Sequence, residues 1–174
     1  RNRLHKAFLV SFAAAPLVLL LGYIAWTWPA TLRTYELRDF SLAERLLTEP
    51  RILADYLRLI LAYRPWGTGL LHDDFPVSTG LTNPISTVIC LALFGAALAG
   101  ALIGRRRFPV LAFAVLWFLA GHALESTVLP LELYFEHRNY LPTFGPLFAV
   151  AWHGVAAASA ASDKWVGGSL AAVL

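Results

Sequence analysis

Apolar residues in this chain come in blocks long enough to cross a bilayer, separated by short charged stretches, and that pattern leaves few folds open. The alternating spacing of a soluble core is absent. Ala7 to Trp28, Ile85 to Gly104, Phe108 to Leu129 and Thr143 to Ser162 each read as a membrane-crossing helix. A fifth run begins at Trp165 and is cut short at Leu174. With 58% hydrophobic and 14% charged residues, the chain is expected to be an all-α, multi-pass transmembrane helix bundle of about five spans, the last truncated. It contains no methionine, even at position 1, and it stops inside an apolar run, so both ends are expected to continue in a longer membrane protein.

The charges fix an expected topology. Arg1, Arg3 and Lys6 precede the first run and Arg105-Arg106-Arg107 follows the second, so both groups are expected on the cytoplasmic side. The spans 7–28, 85–104, 108–129, 143–162 and 165–174 then alternate consistently. Segment 29–84 and connector 130–142 fall together on the extracytoplasmic side. The net charge of +3 comes from basic residues at the ends of apolar blocks, which argues against a nucleic-acid partner. Cys90 lies alone within an apolar run and reads as a small buried hydrophobe.

Within 29–84, Ser41-Leu42-Ala43-Glu44 has the form of a capping box and starts a helix. Thr48-Glu49-Pro50 is expected to end it and start a second, because proline suits a first turn. Leu53, Leu57 and Ile60 share one face of the second helix, while Arg51, Asp55 and Arg58 lie opposite at ion-pairing spacings. An outer-face amphipathic helix pair results, lying in the membrane interface or packed on the bundle. Ala156 to Ala161 offers a small-residue face suited to close helix packing.

Ionisable groups at a membrane boundary are costly and usually functional, which draws attention to Glu136-His137-Arg138-Asn139-Tyr140 between two apolar runs. Arg138 carries a planar fork that suits a phosphate or carboxylate. His137 can transfer a proton or donate to a phosphate oxygen, and Glu136 can orient either cation or act as a base. The competing reading is a salt-bridged turn. His122 and Glu125, three residues apart, share a face of the third span and form either a polar wall of a substrate site or a structural pair. His153 reads as a structural histidine. His72-Asp73-Asp74 is expected to line the same outer cavity; with Glu136 and His137 it could also supply ligands to a divalent metal, the less favoured option.

Leu131-Glu132-Leu133-Tyr134-Phe135-Glu136-His137-Arg138-Asn139-Tyr140-Leu141-Pro142, with Trp117-Phe118-Leu119 and Ser41-Leu42-Ala43-Glu44-Arg45-Leu46-Leu47-Thr48 before it, resembles bacterial membrane proteins that carry tetratricopeptide repeats after a multi-span domain. These are similar to the transmembrane and tetratricopeptide-repeat protein O-mannosyltransferases, glycosyltransferases of the GT-C type. The resemblance covers about Phe40 to Pro142. It implies an enzyme of the bacterial inner membrane that transfers a sugar from a polyprenyl-phosphate carrier to an acceptor protein or glycan on the outer face. The family's acceptor-activating acids lie in an early outer loop outside this chain, so no catalytic residue is assigned here. Glu136 to Pro142 is implied as a wall of the carrier-lipid or sugar site, at the depth of a lipid phosphate. An oligosaccharide polymerase or ligase, a transporter of lipid-linked substrates, and a non-catalytic membrane anchor for a repeat domain are the alternative functions.

Overall fold

The computed structural model describes residues 2–62 and 75–171, and the described residues are helical with irregular connections. Its first unit, residues 1–42, consists chiefly of one helix, α1 (Asn2–Tyr35), which runs through Pro16 and Pro29 without ending. The second unit holds α2 (Leu42–Leu61), α3 (Ser86–Gly104), α4 (Pro109–His122), a short 3-10 turn η1 (Glu136–Asn139) and α5 (Tyr140–Ala171).

Among the described residues, three helices are long and apolar enough to cross a membrane: α1, α3 and the stretch 136–160 that includes most of α5. At 19 residues, α3 reaches about 29 Å, close to the thickness of a hydrocarbon core. The described helices differ from the expected five spans in two ways. Residues 143–162 and 165–171 form one continuous helix, because Asp163-Lys164 contains neither a proline nor a glycine to stop it. The third block becomes the 14-residue helix α4, about 21 Å long, followed by turns over 123–129 instead of a helix to Leu129.

Those turns have a local cause. The carbonyls of Glu125, Thr127 and Leu131 all accept hydrogen bonds from the Arg45 guanidinium, so they are directed at a side chain. The Thr127 hydroxyl adds bonds to the carbonyls of Ala123 and Leu124, and the backbone settles into turns.

Helix α2 begins directly after Ser41, where the capping box places its start. It then continues through Pro50 as one helix, in place of the expected pair. A proline removes one backbone hydrogen bond, and the packed turns on either side carry the helix past it. Arg45, Thr48, Glu49, Ile52 and Tyr56 form the buried stripe, at helical spacings of three and four.

Ile52, Tyr56, Phe118 and Tyr134 make the core of the second unit, with Leu53, Leu57, Phe75, Phe94 and Leu133 packed around them. α4 lies against α5 with almost no gap. A methyl group added at Gly145 would stand 2.9 Å from the Ala114 carbonyl, and one at Gly121 would stand 2.8 Å from the Pro142 ring. This close approach belongs to the first half of α5; Ala156 to Ala160, expected to pack closely, are exposed. Trp117 closes the seam by donating its indole N–H to the Leu141 carbonyl at 2.8 Å.

Candidate functional site

The connector between α4 and α5 lies on α2, and the joint is built around charged residues. Arg45 is fully buried, and its Nε and two terminal nitrogens donate to the carbonyls of Thr127, Leu131 and Glu125 at 3.1, 2.6 and 2.6 Å. A guanidinium suits this task because its donors fan out in a plane toward acceptors spread along a strand of backbone. One turn on, Glu49 is 2% exposed, with one oxygen 2.8 Å from an Arg45 nitrogen. That contact is a charge pair without hydrogen-bond alignment, and neither Glu49 oxygen closes a hydrogen bond among the described residues. Burial therefore dominates: it pushes the Glu49 carboxyl up to about 7, against the opposing pull of Arg45, the neighbouring Ser126 hydroxyl and Arg138.

Two tyrosines hold the rest of the connector. The Tyr56 hydroxyl oxygen accepts the Phe135 backbone N–H at 2.6 Å, and burial pushes this phenol up to about 12. Tyr134 donates to Asp55 at 2.7 Å, and burial followed by the Asp55 carboxylate drives its ionisation well above the usual range. Segment 75–79 is fastened to the same helix. Arg51 donates to the Pro76 carbonyl and lies over the Phe75 ring, while the Ser78 N–H reaches the Thr48 hydroxyl at 2.8 Å.

Of the residues singled out in the sequence, Arg138, Asn139 and His122 come together. Arg138 sits on η1 with its side chain 7% exposed, 3.4 Å from a Glu125 oxygen and 3.8 Å from a Glu132 oxygen, both carboxylates being half-exposed. It also donates to the Glu132 carbonyl at 2.7 Å and stands over the Phe135 ring. His122 closes α4 and is 1% exposed, stacked on Tyr56 and edge-on to Phe118. Asn139 is its polar neighbour, yet neither ring nitrogen of His122 nor the Asn139 Oδ1 closes a hydrogen bond among the described residues.

His122 and Glu125 do not share a helix face. α4 ends between them, so His122 turns into the aromatic core and Glu125 turns out to Arg138. His137 and Tyr140 are exposed, and Glu136 is half-buried. His153, expected to be structural, is exposed on α5. His72, Asp73 and Asp74 lie outside the described residues. No grouping of three or more His, Cys, Asp or Glu able to hold a metal occurs among the described residues.

Arg45 and Glu49, by contrast, escaped the sequence reading, in which their charges belonged to a solvated or interfacial helix. The detectable signal was the stripe they share with Thr48, Ile52 and Tyr56. A second feature lies deeper in the bundle. An apolar cavity of ≈240 Å³ is walled by α2, α3, α4 and α5, with Leu57, Phe94, Phe118 and Pro146 among its lining.

No protein-family model, no curated protein and no solved structure matches this chain. What it does must be argued from the site.

Proposed function

We propose that this chain is the membrane domain, or part of it, of a multi-pass glycosyltransferase of the bacterial inner membrane. In this reading it moves a sugar from a polyprenyl-phosphate carrier to an acceptor on the outer face. The observation that carries the reading is the gathering of buried polar groups with unused hydrogen-bonding capacity around Arg138. The Glu49 carboxyl, beside the Ser126 hydroxyl, and the His122 ring, beside Asn139, are buried in this region, and none of the Glu49, His122 and Ser126 polar atoms closes a well-aligned hydrogen bond among the described residues. Buried polar groups left without partners are costly and rarely kept in a purely structural turn. A sugar phosphate offers hydroxyls to the carboxyl, the imidazole and the amide of Asn139, and a phosphate that can take the guanidinium over from its two carboxylates.

The phosphate replaces the two loose carboxylate contacts of Arg138, at 3.4 and 3.8 Å, with a bidentate one. Both carboxylates are half-exposed and can turn away at little cost. His137 and Glu136 flank the phosphate. The charges gather at the helix ends, which favours a transferase over a transporter with charged groups at mid-membrane.

The test is binding of a polyprenyl-phosphate hexose to the intact protein in lipid nanodiscs, normalised to folded protein. A bidentate charge-assisted contact contributes about 1.5–3 kcal/mol, so Arg138→Lys is expected to weaken binding about tenfold or more although the charge is kept. Arg138→Ala is expected to weaken it further. Unchanged binding in both variants refutes the phosphate role and leaves Arg138 as a brace between Glu125 and Glu132.

A further inference from the structure

The joint between α2 and the connector places Glu49, one of the groups offered above to the sugar, where its protonation also bears on the connector itself. Arg45 donates to the backbone carbonyls of Glu125, Thr127 and Leu131. Glu49, on the same face of α2, must sit beside that guanidinium in a buried place, next to the Ser126 hydroxyl, where neither of its oxygens closes a well-aligned hydrogen bond among the described residues. A carboxylate there keeps the charge attraction of Arg45 but loses its water. A neutral carboxylic acid loses little on burial, so the two forms of Glu49 favour different arrangements of the joint.

We propose that Glu49 is a proton-binding site that governs the connector: with the proton bound, Arg45 stays seated on the three carbonyls, and when the proton leaves, the joint loosens. The ionised side chain is driven toward water and draws its paired guanidinium with it, releasing the carbonyls of 125, 127 and 131. The groups facing Glu49 are Arg45 on its own helix, Arg138 on η1 and the Ser126 hydroxyl after α4. Tyr56 lies further along α2, where it also feels Glu136 of η1 and stacks on His122 of α4. Both cations oppose the burial effect, and burial exceeds their pull.

The direction follows from linkage. In the seated form the proton is held up to about pH 7, whereas in an opened form Glu49 returns toward its ordinary value of 4.5. The seated form thus binds the proton more tightly, so raising the pH favours opening. Between pH 6 and pH 8 the opening equilibrium grows about tenfold.

Amide hydrogen exchange on the intact protein in nanodiscs tests this, with rates corrected for intrinsic pH dependence and with α3 peptides as an internal reference. In the unmodified protein, protection over residues 124–139 is expected to fall about tenfold from pH 6 to pH 8. Glu49→Gln is expected to remain protected at both. Arg45→Lys, whose single ammonium cannot span three carbonyls, is expected to be poorly protected at both. Equal protection of the unmodified protein at the two pH values overturns the proposal, as does an undiminished pH effect in Glu49→Gln. Should Glu49→Gln not fold, infrared spectroscopy of the Glu136→Gln protein supplies the check. A protonated-carboxyl stretch that disappears with a midpoint near neutrality is expected, and its absence at pH 6 overturns the assignment.

Discussion

The phenolic oxygen of Tyr56 accepts the backbone N–H of Phe135 at 2.6 Å, which ties the middle of α2 to the residue that precedes η1. The same ring stacks on His122 and meets Tyr134 edge-on, so one side chain joins the end of α4 and the connector. Tyr56→Phe keeps the ring and removes the acceptor. Leaving that partly buried N–H without its acceptor is expected to cost about 1–3 kcal/mol, read as a lower melting temperature in detergent. Faster exchange of the Phe135 amide should accompany it. A variant as stable as the parent, with that amide unchanged, would show that the bond contributes nothing.

The α4–α5 seam makes a second, contrasting expectation. A methyl group at Gly145 meets the Ala114 carbonyl at 2.9 Å and the Trp117 Cβ at 3.0 Å, and backbone cannot swing aside as a flexible side chain can. Gly145→Ala is expected to destabilise by about 1–3 kcal/mol through overpacking. Gly95 and Gly100 on α3 have nothing within 4 Å of an added methyl. Alanine there is expected to be neutral or to stabilise by up to about 1 kcal/mol through helix propensity. Equal effects at Gly145 and Gly95 would mean that the seam is looser than described.

Apolar block length was enough to read α1 and α3 from the sequence, because a helix that long with so few charges has few alternatives. The end of α4 was not readable, since it depends on Arg45, some eighty positions earlier, capturing the carbonyls after His122. Local pattern also misjudged Pro50, where tertiary packing carries α2 through a residue that by itself favours a break. For the site, the connector stood out because it concentrates charge between apolar runs. Arg45 and Glu49 did not, because an i,i+4 ion pair looks the same in sequence whether water or protein surrounds it. Glu125 was paired with His122 by spacing alone, and that spacing lost its meaning once the helix stopped between them.

The expected membrane topology is open to chemical labelling. Arg106 and His137 are both exposed, the first after α3 and the second on η1. Single cysteines introduced as Arg106→Cys and His137→Cys, in a Cys90→Ser background, should react with an impermeant reagent from opposite sides of the membrane. Position 106 is expected to label from the cytoplasm, following the bias of Arg105-Arg106-Arg107. Labelling of both from one side would overturn the arrangement.

The pH dependence of global stability follows from Glu49. Its folded-state value of about 7 lies above the ordinary 4.5, because burial outweighs Arg45 and the other opposing groups. Below pH 4.5 the carboxyl is protonated whether the chain is folded or unfolded, and the favourable contribution is fully present. As pH rises from 4.5 toward 7 the unfolded chain releases its proton while the folded chain keeps it, so stability falls across that window and levels off above it. The total loss is on the order of 3 kcal/mol. Glu49→Gln, which resembles the protonated side chain and cannot ionise, is expected to lose this slope and to melt higher than the parent at pH 8. Melting curves in detergent at pH 5, 6, 7 and 8 compare the two proteins directly. If the parent grows more stable over that range relative to Glu49→Gln, then the Arg45 ion pair outweighs the cost of burial, and Glu49 is an ordinary paired carboxylate.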